Sequence, residues 1–192
     1  CYFISTDIRQ CVKDYDLIII ATPLSSYKEI ILSIKDDLKK GSILTDTGSV
    51  KKEVMKIIHN INLKEINWIP SHPIAGTEET GPKAGHADMF KNRWCIISPP
   101  KESNEQPIQI LKSLWEAIGS KVKIMTPEEH DEILSLTSHL PHAIAYNIVR
   151  TVINVEDKLK QEVIQYSAGG LRDFSRIAAS NPLMWRDIFI DN

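Results

Sequence analysis

The run Asp16-Leu-Ile-Ile-Ile-Ala-Thr22, closed by Pro23 and followed at once by an amphipathic segment, restricts this chain more than any other stretch. Leu17 to Ala21 is continuously apolar and β-branched at its centre, without polar alternation. Such a run suits a strand covered on both faces, the situation in a parallel sheet layered by helices. Behind it, Tyr27, Ile30, Ile31, Ile34 and Leu38 form one apolar stripe at helical spacing, with Ser26 and Glu29 spaced as a capping box and Gly41 as the stop. The grammar then repeats. Ser42 to Asp46 reads as a strand, Thr47-Gly48-Ser49 as a turn, Val50, Val54, Ile57, Ile58 and Ile61 as the stripe of a second helix, and Asn67 to Pro70 as a third strand. A long Gly- and Pro-containing loop follows over residues 71–93. Beyond it Trp94 to Ser98 reads as a strand, Pro107 to Ile118 as a helix stopped by Gly119, and Lys121 to Met125 as a strand. The alternation predicts an α/β domain with a mostly parallel sheet.

At Thr126 the pattern changes. Thr126, Pro127 and Glu129 spell a helix start, and no strand signal appears from there to Asn192. The spacing predicts a long helix to about Ile153 kinked at Pro141, another over about Asp157 to Tyr166, a break at Gly169-Gly170, and a last helix opening at Asn181-Pro182. The expected organisation is therefore an α/β domain over residues 1–126 and an all-helical domain over 127–192.

Composition excludes several classes of function. Lys and Arg number 23 against 25 Asp and Glu, a net charge of -2, so nothing asks for nucleic acid or an anionic membrane. The longest apolar run is far too short to span a bilayer, and the first ten residues lack the basic and apolar regions of a signal peptide. Three cysteines without CxxC spacing read as reduced thiols in a cytoplasmic protein.

The chemistry-bearing residues gather at strand ends, where ligands bind in open α/β sheets. Thr22-Pro23 ends the first strand, Asp46-Thr-Gly-Ser49 the second and Ser71-His72-Pro73 the third, so Thr22, Ser49 and His72 reach one rim. His72 is the candidate general base, because an imidazole can take a hydroxyl proton as hydride leaves the same carbon. Its alternative is a ring bonded to a loop. Ser49 is placed either to N-cap the helix after it or to bond His72 or substrate. Ser138-His139-Leu-Pro-His142 sets two histidines three apart on one helix face, with no Glu or Cys partner nearby, so no metal is expected. Arg172, Asp173 and Arg176 form either a solvated ion-pair set or an arginine fork held for a carboxylate. Trp185-Arg186-Asp187 reads as core packing with a charged outer face.

Ala-Thr-Pro at 21–23, Thr-Asp-Thr-Gly-Ser-Val-Lys at 45–51, Ser-His-Pro-Ile-Ala-Gly-Thr-Glu at 71–78, Ser-His-Leu-Pro-His at 138–142 and the stretch from Gly169 to Phe189 together resemble the prephenate dehydrogenase family. That family includes the cyclohexadienyl and arogenate dehydrogenases of tyrosine biosynthesis. The resemblance implies a Rossmann-like domain followed by a helical dimerisation domain, NAD or NADP as cofactor, and a homodimer. The implied reaction is oxidative decarboxylation of prephenate to 4-hydroxyphenylpyruvate. The resemblance further implies that His72 accepts the ring hydroxyl proton and Ser49 orients it. Arg176 would bind a substrate carboxylate, His142 contact the substrate side chain, and His139 support the site. Thr77 and Glu78 would lie at the cleft, Glu78 as a gate with Asp173 or Arg176. Trp185 would shape the pocket, and Thr22, Pro23 and Thr47 would line the cofactor.

One departure stands out: the chain carries no GxGxxG turn, the element that binds pyrophosphate at a helix N-terminus. The expectation is that the sequence begins near the end of the second strand of such a unit and stops inside the helical domain, leaving the substrate half of the site more complete than the cofactor half. Arogenate, another hydroxyacid, and a non-catalytic remnant that oligomerises or binds a carboxylate remain the alternatives at this stage.

Overall fold

The computed structural model describes residues 4–61, 63, 65–76, 81–155 and 157–192. A short helix, α1 (Ile8–Val12), precedes strand β1 (Leu17–Ile20). A single 3-10 turn, Leu24–Ser26, leads into α2 (Tyr27–Ile34). The capping box expected at Ser26 does not form. The 3-10 turn holds Ser26 at φ -91°, ψ -10°, not in the extended conformation a capping residue needs. Its hydroxyl instead donates to Pro23 O at 2.7 Å and can accept from the Thr22 hydroxyl, 2.9 Å away. Then come β2 (Ile43–Asp46), α3 (Lys52–Ile61), β3 (Asn67–Trp68), β4 (Ser71–Pro73), β5 (Trp94–Ile97), α4 (Glu105–Ala117) and β6 (Lys121–Ile124).

β1, β2 and β3 pair in parallel, and so do β5 and β6, as the alternation predicts. β4 runs antiparallel to β5. The physical reason lies in the connection. Parallel neighbours need a crossover, usually a helix, whereas the described part of the 74–93 loop contains only a 3-10 turn at Pro82–Ala84. β3 and β4 are halves of one extended stretch that changes partner at Pro70. Ile69 N still donates to Leu44 O at 2.9 Å, and Ser98 N donates to Pro70 O at 2.9 Å. Successive side chains point to opposite faces. Leu44 therefore joins Ile20, Tyr27, Ile31, Ile34, Val54 and Trp68 in one core, while Ile43 joins Ile69, Cys95, Ile97, Leu111 and Trp115 in the other.

After Thr126 the described residues form helices: α5 (Pro127–Leu134), a π-helical turn (Ser135–His139), α6 (Leu140–Ile153), α7 (Asp157–Gln165), α8 (Gly169–Ala178) and α9 (Pro182–Asp191). The Thr126 capping box is present on both sides, with Thr126 N donating to Glu129 Oε2 at 2.9 Å and Glu129 N donating to Thr126 Oγ1 at 3.2 Å. Asn181 caps α9 by accepting from Leu183 N and Met184 N. Where a kink was expected at Pro141, the helix carries a π turn just before the proline, with Leu140 N reaching back to Ser135 O. A proline ring crowds the carbonyl four residues earlier, and the wider turn relieves that crowding. Helix α9 folds back onto the α/β part, so that Trp185 and Ile188 pack on Val50. Among the described residues no helix is long and apolar enough to cross a membrane.

Beneath the rim of the sheet lies a buried ion pair. Lys51 Nζ sits 2.6 Å from Asp46 Oδ2 and 2.7 Å from Ser71 O, with both side chains sealed from solvent. Burial pulls the lysine's pKa down, and the carboxylate beside it opposes that pull. Asp46 also accepts from Gly48 N at 2.9 Å and Ser71 N at 3.2 Å. Only glycine fits at position 48, since an added Cβ would lie 2.9 Å from both Asp46 Oδ2 and the Tyr27 hydroxyl. Replacing one partner strands the other charge in the core. Lys51→Met is expected to lower stability by about 3–5 kcal/mol, measured by urea unfolding. A loss well under 1 kcal/mol would show that Asp46 is not held as a buried charge.

Candidate active site

His72 lies on β4, in the second half of the stretch that β3 begins, and is almost fully buried, 8 % exposed. Its Nδ1 is 2.9 Å from Nε2 of His130, and the two rings meet edge-on, with centroids 5.1 Å apart. His130 Nδ1 lies 2.7 Å from Asp131 Oδ1. That carboxylate also accepts Lys51 N at 2.8 Å on Oδ1 and Lys52 N at 2.9 Å on Oδ2. It is therefore the cap of α3, supplied by α5, and the capping role open to Ser49 is already filled. An internal chain of hydrogen bonds thus runs from the helix N-terminus through Asp131 and His130 to His72.

Burial lowers all three groups' readiness to carry charge, and the outcomes differ. His72 is held well below the ordinary histidine value, first by burial and then by Lys51 and His130. Burial also lowers His130, with the Asp131 bond opposing. For Asp131, burial would raise the carboxyl, but hydrogen bonds from His130, Lys52 and Lys51 outweigh it and the net shift is downward.

His72 opens onto a cavity of about 360 Å³ that is also lined by Ser49, His142, Arg176, Trp185 and Arg93. Five of the residues singled out from the sequence thus converge. Among the described lining residues there is no Asp or Glu, while two are arginines. A second cavity, of about 400 Å³, is lined by Thr22, Pro23, Thr47 and Gly48, and shares Ser49, Met184 and Ile188 with the first. The two spaces are neighbours across Ser49, and the residues expected to line a cofactor bound the second one.

The π turn and α6 place the histidine pair differently from one another. His142 stacks on Trp185, with centroids 3.6 Å apart, and its Nδ1 donates to Ser138 O at 2.9 Å. His139 sits behind, edge-on to the same tryptophan at 5.9 Å, and 3.0 Å from Asn192 Nδ2. The Asn192 amide also donates to Asp131 O at 2.8 Å, which identifies that atom as nitrogen and makes His139 Nδ1 the acceptor. Burial pushes His139 down to about 4. Thr77 and Glu78, with the gate expected between Glu78 and Asp173 or Arg176, lie outside the described residues.

His130 and Asp131 are the residues that sequence reasoning passed over. In Pro127-Glu-Glu-His-Asp-Glu132 they look like part of a charged first turn. Their partners, His72 and Lys51, lie 58 and 80 positions away. Lys51 and Asp46 stood within a motif without an assigned role.

A histidine-lined cleft at the carboxyl ends of α/β strands, closed by a helical domain, defines the class: a two-domain α/β protein with a strand-end ligand site. Residues 2–125 match the family model described as prephenate dehydrogenase, nucleotide-binding domain, and residues 126–192 the one described as prephenate dehydrogenase, dimerization domain. The chain belongs to the prephenate dehydrogenase family. It is 40% identical over 189 residues to the cyclohexadienyl dehydrogenase of Zymomonas mobilis, covering 98% of this chain and 64% of that protein. It is 32% identical over 182 residues to the prephenate dehydrogenase of Bacillus subtilis, covering 94% of this chain and 49% of that protein. The crystal structure of prephenate dehydrogenase from A. aeolicus, in complex with hydroxyphenyl propionate and NAD+, superimposes with a TM-score of 0.87 at 34% identity. That match covers 97% of this chain and 65% of the other. The chain thus spans between about half and two-thirds of the length of these relatives.

The depressed histidines set a stability trend. His72, His130 and His139 bind protons less readily folded than unfolded, so their contribution is complete above the unfolded value of about 6.5 and is lost as pH falls below it. The urea midpoint is expected to drop between pH 7.5 and pH 5, and the slope to flatten in His139→Gln. A midpoint that stays level or rises on acidification contradicts the burial of neutral rings.

Proposed function

We propose that the protein is an NAD- or NADP-dependent dehydrogenase that oxidatively decarboxylates prephenate to 4-hydroxyphenylpyruvate, serving tyrosine biosynthesis. The convergence of His72, Ser49, His142, Arg176 and Trp185 on one cavity carries this reading. In it, residues 1–126 act as the dinucleotide-binding unit and 127–192 as the helical substrate and dimerisation unit. The neighbouring cavity fits the ring end of a dinucleotide in size and place, bounded by Thr22, Pro23 and Thr47 and touching the substrate cavity through Ser49. A nicotinamide bound there supplies the hydride acceptor.

The chain's own residues do the rest. Arg176, with Arg93 on the same cavity, suits a doubly anionic substrate, since a guanidinium fork matches carboxylate geometry. The stacked His142 and Trp185 form a flat wall for the substrate. His72, kept neutral, accepts the C4 hydroxyl proton as the C4 hydride leaves. The ring carboxylate then departs as CO₂, and the electron pair of its bond flows through the ring to the C4 oxygen. His72 returns the proton to make the phenol, so no net proton is consumed. Thr77 and Glu78 belong to the cleft in this reading. The free thiols Cys11 and Cys95 accord with a cytoplasmic location.

Two measurements test the proposal. With the protein in its full natural length, prephenate plus NAD+ or NADP+ should generate reduced nicotinamide absorbance, with arogenate assayed in parallel. His72→Asn should lower kcat by about 10²–10⁴ with little change in KM, and Arg176→Met should chiefly raise KM. Normal turnover by His72→Asn would falsify the central assignment. The second concerns the homodimer, for which the exposed Leu136, Leu140 and Ile144 on the π turn and α6 offer an apolar stripe. Sedimentation should give twice the chain mass, and the pair Leu140→Lys and Ile144→Lys should shift it toward monomer. An unshifted dimer would place the interface elsewhere.

A further inference from the structure

The hydrogen-bond chain behind His72 determines where its proton sits. Asp131 receives three N–H groups, from Lys51, Lys52 and His130, and an ionised carboxylate only accepts. The proton in the 2.7 Å contact must therefore lie on His130 Nδ1. The His130 side chain is fully buried, and its ring is neutral, with one N–H. Its Nε2 is then an acceptor. The 2.9 Å contact from that atom to His72 Nδ1 is consequently donated by His72. A neutral His72 that carries its proton on Nδ1 has its lone pair on Nε2. Nδ1 is turned into the protein, so Nε2 is the nitrogen left for the cavity His72 lines.

We propose that His130 and Asp131 are positioning residues that hold His72 in the tautomer with a basic Nε2 facing the substrate, and stabilise its imidazolium once it has taken the hydroxyl proton. This rests on the reading of His72 as the base. The mechanism follows from the geometry. Proton uptake at Nε2 leaves the Nδ1–H bond to His130 intact and strengthens it, and the Asp131 charge is felt through the intervening ring. Asp131 cannot swing away, because both its oxygens are also held by amides at the start of α3, where the helix dipole favours an anion. The other titratable groups around the chain leave this assignment standing. Lys51 and Asp46 form a closed pair on the sheet side. Cys95 is buried and pushed up to about 12, hence a neutral thiol. His139 is held to Asn192. A relay of this kind would be idle in a histidine that only braced a loop.

Two variants and one spectroscopic measurement test the assignment. His130→Leu removes the acceptor and should lower kcat about a hundredfold or more at unchanged KM, and should shift the acid limb of the kcat–pH profile. His130→Gln should recover part of kcat, because its side-chain oxygen can accept from His72 Nδ1. Long-range ¹⁵N–¹H correlation of the histidine rings reads the tautomer without any assay: His72 should carry its proton on Nδ1 in the natural protein and lose that preference in His130→Leu. A proton on His72 Nε2 in the natural protein overturns the proposal, as does a His130→Leu protein with unchanged kcat and pH profile. Failure of the dehydrogenase reading would appear separately, as no reduced nicotinamide from the natural protein with prephenate or arogenate while His72 still carries its proton on Nδ1.

Discussion

The carboxylate of Asp131 is the tie on which the site depends. It comes from the helical part of the chain and binds the first amides of α3 in the α/β part, so one side chain satisfies orphan helix donors and joins the two units. Because it is buried and triply bonded, it stays charged where an unpaired carboxylate would protonate. The position of His130 follows from that bond, and the position of the His72 ring follows from His130. Ser49, relieved of capping, is free to line the cavities on both sides of it.

Much of the framework could be read from periodicity alone. Residues 43–46 are buried throughout, Thr45 and Asp46 included, and the stripes of α2 and α3 match the cores they enter, but the all-apolar residues 17–20 are not covered on both faces as expected, since Ile19 is 42 % exposed. The start of α5 was visible because a capping box is a local device, complete within four residues. Ser26 shows the limit of that reasoning. It has the right spacing, but Pro23 begins a 3-10 turn whose carbonyl takes the hydroxyl instead. The partner switch at Pro70 and the antiparallel β5 depend on where a long loop returns, which no local pattern encodes.

The same division runs through the site. His72 could be found because a strand end is a topological address. His130 and Asp131 could not, because burial of a charged-looking turn depends on what another part of the chain brings to it. Glu128, Glu129 and Glu132 around them are in no way different in sequence, yet those face solvent. Arg93 was likewise invisible, being the last residue of a loop before an ordinary strand.

The stretch from Asn67 to Pro73 is tied down along its whole length. It is bonded to β2 along one edge and to β5 along the other, and where Pro70 interrupts the ladder, Asp46 grips Ser71 by side chain and carbonyl alike. Every one of these bonds joins residues distant in the chain. None can break by local fraying, so His72 is carried on a segment held from both sides by distant parts of the chain. Breathing of the cleft is then left to the helices above it, with the His72 ring as the fixed point against which they move.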